Sequence, residues 1–239
     1  MRVASQAAAT TVGAVILIEK RRLPENLVVF GTSIRLAQFP RPLKAHLKAY
    51  PNTQEIETLG ATLIATDFPG AKIRDFISRV RTWGGDPGIA GRVPKRNNLP
   101  TTSAAFGAAV QFLDMQPPQL ASALAELNAV THLGTPAFVS SHLRSLRHAL
   151  CPVFDSLLHD ALPYSFDARG FAAFAQDCQR IADALKDAGV TNPRQRADGN
   201  WFVADVEGAV YAQAVCLLGG STLASRSAAQ KYASASTSA

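Results

Sequence analysis

The segment Val130–Leu162, VTHLGTPAFVSSHLRSLRHALCPVFDSLLHDAL, governs how the rest of the chain is read, because it sets one aspartate a fixed distance beyond a glycine turn between two helices. Upstream, Ala121 to Thr131 is rich in Ala and Leu and helix-prone, and His132-Leu133-Gly134-Thr135-Pro136 breaks it. An apolar pattern at Phe138, Leu143, Leu146 and Leu150 then predicts a second helix over Ala137 to Leu150. Two helices therefore meet at a tight hairpin. Cys151-Pro152 is expected to end the second helix, and Asp155 falls just before the amphipathic run Ser156 to Leu162, where an N-cap belongs.

Size and composition narrow the function classes. A chain of 239 residues that is 47% hydrophobic can bury a substantial core. We expect a single compact helical unit over residues 1–218, with a basic N-terminal part (1–100) and a part carrying the hairpin and the aspartate (101–218). Residues 219–239, small, polar and rich in Ser and Ala, read as a flexible tail. No apolar run reaches the roughly 18 residues of a membrane span. The N-terminus also lacks the pattern of a signal peptide, so a soluble, cytoplasmic protein without membrane association is expected. Cys151, Cys178 and Cys216 are odd in number and far apart, which argues against disulfides, a zinc site or an iron–sulfur cluster. Neither a metal nor another cofactor is expected, and no obligate protein partner is evident.

Charge is unevenly spread. Residues 1–96 hold 15 Lys/Arg against 7 Asp/Glu, whereas residues 97–239 hold 9 against 11. Lys72, Arg74, Arg79, Arg81, Arg92, Lys95 and Arg96 crowd into one stretch opposed only by Asp75 and Asp86, a balance suited to neutralising phosphates. A solvated helix face that happens to be basic would give the same count.

Along the chain, Ala7 to Arg22 reads as a helix, and Leu27 to Phe30 as a short strand or a buried helical turn. The prolines at 40, 42 and 51 leave the following region open between short helices and loop. Glu55 to Ala65 and Ala71 to Trp83 read as helices, the second with Ile73, Phe76, Ile77 and Val80 on one face. The loop from Gly84 to Asn98 combines glycines that permit close backbone approach with Arg92, Lys95 and Arg96, which are placed to grip phosphates. A mobile surface loop would have the same composition. Helices then follow over Thr102 to Phe112, Pro118 to Ala129, Asp167 to Ala188 and Val203 to Leu218, so the fold class expected is all-α, or mainly so.

Several stretches together carry a resemblance: Leu133-Gly134-Thr135-Pro136, Pro152-Val153-Phe154-Asp155, Arg81-Thr82-Trp83-Gly84-Gly85, Ile89-Ala90-Gly91-Arg92, and Trp201-Phe202-Val203-Ala204-Asp205-Val206-Glu207. Over residues 70–218 the chain resembles the 8-oxoguanine DNA glycosylase-like bacterial branch of the helix-hairpin-helix DNA glycosylases. That resemblance implies DNA as partner and Asp155 as the catalytic carboxylate. Such a group stabilises the oxocarbenium-like sugar of a flipped nucleotide and orients or deprotonates the attacking water. An N-cap role alone would also explain Asp155, and the two roles are compatible.

In the resemblance, Gly134 and Thr135 present backbone N–H groups to phosphate, with Ser140, Ser141 and His142 as added contacts. Trp83, Asp205 and Glu207, with Asn97 or Asn98 from the loop, are the candidates for the base pocket. Trp83 could equally be core, and Asp205 and Glu207 could instead form a buried network; as readers of a base they would accept from exocyclic amino groups. Bifunctional relatives carry a lysine just after the hairpin glycine, where this chain has Pro136. No lysine occurs between Arg96 and Lys186, and a shifted alignment would offer His142 or Arg144, both poor Schiff-base formers. The expectation is a monofunctional glycosylase acting on an 8-oxoguanine-like lesion or, as an anti-phage defence, on a hypermodified cytosine. Two alternatives stay open: a non-catalytic DNA-binding helix-hairpin-helix protein, and a helical domain binding small molecules or proteins.

Overall fold

The computed structural model describes residues 26–29, 32–85, 92–133, 136–196 and 199–218. The expected helix over Ala7 to Arg22, part of the glycine-rich loop (86–91), the hairpin residues Gly134 and Thr135, and the tail 219–239 lie outside the described residues.

The described chain is mainly helical. It opens with an antiparallel hairpin of β1 (Asn26–Val29) and β2 (Thr32–Arg35), in which Leu27 pairs with Ile34 and Val29 with Thr32. A 3-10 turn (Leu36–Gln38) leads to α1 (Pro40–Ala49). The region left open by its prolines is thus helical, because Pro40 is the first helical residue, where an N–H has no intrahelical partner to lose. Next come α2 (Thr53–Ala65) and α3 (Gly70–Gly84). Gly85 stops α3 at φ +88°, and its N–H bonds back to the Arg81 and Thr82 carbonyls. The expected loop is not wholly irregular: Val93–Arg96 form a single helical turn, α4.

Two antiparallel neighbours, α5 (Leu99–Asp114) and α6 (Leu120–Asn128), lead through turns at Val130–Leu133 into α7 (Pro136–Leu146). Helix α7 ends at Leu146 rather than Leu150. Beyond it the Leu150 N–H turns to the Arg147 carbonyl (2.9 Å) in place of that of Leu146, and the free His148 and Ala149 carbonyls accept from Ala204 N (3.1 Å) and Val203 N (3.4 Å), the first amides of a distant helix. The chain then runs without helix from Cys151 to Asp155 before α8 (Ser156–Ala161). Helices α9 (Ala168–Asp187), capped by Asp167, and α10 (Val203–Leu218) complete the fold.

One buried cluster runs from Leu36 to Val215 and joins the basic N-terminal part to the hairpin part. At its centre α10 packs on α1, α8 and α9, and its residues from Val203 to Ala212 are all buried, as expected of a helix apolar on nearly every face. Helix α7 packs on α2, α3 and α6, and the crossing with α2 is very close. A Cβ at Gly60 would lie 2.1 Å from the Ser145 carbonyl oxygen. These two helices, α7 and α10, support the segment bearing Asp155 from two sides.

Candidate active site at the cap of helix α8

Asp155 is the N-cap of α8. Its backbone is extended (φ −97°, ψ 179°), and its Oδ1 accepts the Leu158 N–H at 2.9 Å. The nearby N–H groups of Leu157 and of Asp155 itself also favour the charged carboxylate. Burial nevertheless dominates and pushes its pKa up to about 6 against these hydrogen bonds, with Asp160 adding a little repulsion. The residue as a whole is half-buried. Such a carboxylate is ionised at neutral pH yet more basic than a solvated one, which is the condition for accepting a proton from water.

The non-helical approach to Asp155 is pinned to α7. Ser140 Oγ accepts the Phe154 N–H at 2.9 Å while donating to the Ala137 carbonyl at 3.1 Å. Ser140 is fully buried, so the expectation that it meets DNA is corrected: it holds the backbone next to Asp155.

His142 is corrected likewise. It is fully buried, edge-on to Phe76 (5.8 Å) and Phe106 (6.0 Å), and its Nδ1 lies 2.6 Å from the Phe138 carbonyl oxygen, so Nδ1 carries the proton. Burial lowers its pKa to about 4, which leaves it neutral and away from phosphate. Ser141, half-buried, donates to the Ala137 carbonyl at 2.8 Å. Gly134 and Thr135 are not among the described residues.

Arg92, Lys95 and Arg96 are exposed on and beside α4. Asn97 brings them to the hairpin: its Nδ2 donates to the Val93 (2.7 Å) and Thr131 (2.8 Å) carbonyls, and its Oδ1 accepts the Thr131 N–H at 3.0 Å. This amide is committed to backbone on both sides, so Asn97 is a clamp rather than a base contact. Arg81, counted with the basic stretch in the sequence, is buried, its guanidinium 3.4 Å above the Phe138 ring.

Trp83 is half-buried and donates its indole N–H to Thr53 Oγ1 at 3.1 Å. Its ring packs on Tyr50 at 5.5 Å, and both line a cavity of about 290 Å³ with Ile56, Glu55, Arg79 and Thr82. Asp205 does not face such a space. Buried at 1% exposure, it takes two bonds from Arg196 (2.6 and 2.8 Å), one from Asn192 Nδ2 (2.9 Å) and one from the Phe202 N–H (3.1 Å). Its acceptor sites are filled by protein. Glu207 is equally buried, with Oε2 3.6 Å from Arg144 Nε.

The buried network that the sequence offered for Asp205 and Glu207 is present, but sequence reasoning missed its partners, Glu57, Arg144, Arg194 and Arg196. Glu57 receives Arg194 (2.6 and 2.8 Å) and lies 3.2 Å from Arg144 and 3.6 Å from Arg196. Burial works to raise the pKa of Glu57, and Arg144, Arg194 and His148 outweigh it to hold it below the ordinary value. Tyr50 and Tyr211 were missed too: the two hydroxyls share a hydrogen bond, and burial drives the Tyr50 pKa up to about 12. Nothing in the local pattern marks any of these residues. Among the described residues no group of three or more His, Cys, Asp or Glu is arranged to hold a metal ion, and no helix is long and apolar enough to cross a membrane.

Compared with known protein families, with curated proteins and with solved structures, the chain gave no significant match.

Proposed function

We propose that this protein is a monofunctional DNA glycosylase that hydrolyses the N-glycosidic bond of a flipped-out damaged or modified base, leaves an abasic site and works in the cytoplasm. The observation that carries the reading is Asp155: a half-buried carboxylate with its pKa raised to about 6, fixed at a helix cap and anchored through Phe154 to the helix that follows the hairpin. In this role Asp155 stabilises positive charge at the sugar and takes a proton from the attacking water. The cations of α4, clamped beside the hairpin by Asn97, supply phosphate contacts. Pro136 opens α7 where a Schiff-base lysine would stand, which favours simple hydrolysis without strand cleavage.

The substrate class we assign is an 8-oxoguanine-like lesion or a hypermodified phage cytosine. The deciding experiment incubates genomic and phage DNAs of differing modification with wild-type and Asp155→Asn protein and identifies released bases by mass spectrometry. The wild type is expected to release one base class, with strand breaks only after alkali, and Asp155→Asn to release none. DNA binding with no released base from any DNA would replace this reading with that of a non-catalytic DNA-binding protein. A borohydride-trapped covalent adduct would overturn the monofunctional assignment.

A further inference from the structure

Helix α1 carries Arg41, Lys44 and Lys48 at positions i, i+3 and i+7, all three exposed, and has no acidic residue. This spacing puts the cations on one face, opposite buried Leu43 and His46, along about 10 Å of helix. None of the three makes an ion pair among the described residues. Just past Lys48 the helix ends at the cavity of about 290 Å³, which Tyr50 lines from the C-cap of α1, Asn52 and Glu55 from the start of α2, and Arg79 and Trp83 from α3.

The aromatic wall of this cavity is fixed in place. Thr53, 1% exposed, donates from Oγ1 to the Tyr50 carbonyl at 2.6 Å and accepts the Trp83 indole N–H at 3.1 Å, so one hydroxyl ties both residues together. His46 stacks on the Tyr50 ring at 4.8 Å, and the buried Arg144 guanidinium stands 5.0 Å from the Trp83 ring. A wall held in this way loses little freedom when a ligand stacks on it. With its N–H committed to Thr53, Trp83 offers a guest its ring and not a hydrogen bond. Arg144 already engages that ring and repels a second cation, so the guest it suits is a neutral flat ring. At the rim Arg79 uses Nη1 for Glu55 (2.5 Å) and Nε for Asp75 (3.2 Å), and neither Arg79 Nη2 nor Glu55 Oε2 has a hydrogen bond among the described residues. A donor and an acceptor side by side match the edge of a nucleobase.

We propose that the end of α1 is a docking site for an unpaired nucleotide of a DNA strand, its base stacked in the cavity walled by Tyr50 and Trp83 and the neighbouring phosphates lying on Lys48, Lys44 and Arg41. The inference rests on the reading of DNA as partner and adds a preference for unpaired strands, because a base inside a duplex stack has no free face to offer. A row of cations that follows the backbone, beside aromatic rings that take the bases, is the general design of sequence-tolerant single-strand sites.

The test uses the full chain and a short oligothymidylate, alone and paired with oligoadenylate, with binding followed by anisotropy at several salt concentrations and by tryptophan fluorescence. The wild type is expected to bind the single strand more tightly than the duplex, with its emission quenched as a base stacks on Trp83. Trp83→Ala should bind the single strand about 10-fold more weakly or worse, the loss of one stacked base, and Trp83→Phe should keep most of the affinity with the quenching gone. A Lys44→Gln/Lys48→Gln double variant, altered only on the exposed face, should make log K less steep in log[salt] by about 1.4, at about 0.7 per phosphate contact on a single strand. Saturation without quenching, Trp83→Ala binding as tightly as the wild type, an unchanged slope in the lysine variant, or a duplex bound as tightly as the single strand would each overturn the proposal. Should Trp83→Ala fail to fold, the wild-type quenching and the slope of the lysine variant decide it. None of these readouts needs base release: single-strand binding as expected with no base released removes the glycosylase reading alone, and base release without quenching removes this site alone.

Discussion

At the scale of single residues, the cap position of Asp155 serves two ends that oppose each other. As an N-cap it satisfies helix amides, worth about 1 kcal/mol. As a buried carboxylate it is destabilising when charged. Its folded pKa of about 6 lies above the ordinary 3.8, so the folded state holds the proton longer than the unfolded one. The penalty is absent below pH 3.8, where both states are protonated, grows up to pH 6, and is complete above it, at up to about 3 kcal/mol. Asn caps as well as Asp and carries no charge. Asp155→Asn should therefore raise the melting temperature at pH 7 by several degrees and lose that gain at pH 4, while base release falls by about 10²-fold or more. A variant equal to the wild type in melting temperature at both pH values would show that the carboxylate is not held under this strain. Wild-type base release should rise with pH through an apparent pKa of about 6, measured under single-turnover conditions.

At the scale of elements, local pattern was enough where local forces decide. Ile73, Phe76, Ile77 and Val80 outlined α3 to within a residue at each end, and the Asp155 cap was legible because capping chemistry is written in adjacent residues. Pattern failed where distant chain intervenes. The carbonyls beyond the early end of α7, those of His148 and Ala149, are satisfied by the first amides of α10, and no periodicity near Leu150 announces that contact. Asn97 looked like a base contact because its amide could serve either purpose, and only the fold shows Thr131 opposite it. Two outcomes separate its clamp role from the charges of α4. Replacing Arg92, Lys95 or Arg96 with Ala should weaken DNA binding regardless of sequence and make log K less steep in log[salt] by about 0.9 per phosphate contact removed. Asn97→Ala should weaken binding with the slope intact, since every cation remains; a reduced slope would assign Asn97 itself to the phosphate interface. The α2–α7 crossing is the other element-scale constraint. With a Cβ at 2.1 Å from a backbone oxygen, Gly60→Ala is expected to cost about 3 kcal/mol or more in urea unfolding, and an unchanged midpoint would show that the helices slide apart freely.

Over the whole molecule, the charge count gave the right sign for the N-terminal part but not the address of each cation. Lys72, Arg74 and Arg92 are exposed, whereas Arg81 and Arg144 are buried, and Arg194 and Arg196 are drawn inward by Glu57 and Asp205. A sequence offers no means of pairing Glu57 with Arg194, because the contact depends on α2 and the segment before α10 meeting across the core. The resulting network sets a pH response opposite to that of Asp155. Arg196, Arg194 and Asn192 overcome burial and hold the Asp205 pKa below its ordinary 3.8, and Glu57 is likewise held below 4.5. Groups lowered in this way contribute stability that is present above the unfolded-state pKa and is lost as pH falls through the folded-state value. Asp205→Ala leaves Arg196 without its bidentate partner in a largely buried setting and should cost about 3–5 kcal/mol at pH 7. Urea unfolding of wild type, Asp205→Ala and Asp155→Asn across pH 3 to 8 separates the two signs. The deficit of Asp205→Ala should stay constant from pH 8 down to about 4 and shrink only below it, while the surplus of Asp155→Asn should shrink between pH 6 and 3.8. If both differences instead faded over one common range, the two carboxylates would be titrating as a single unit, and the separation of a stabilising network from a strained catalytic cap would not hold.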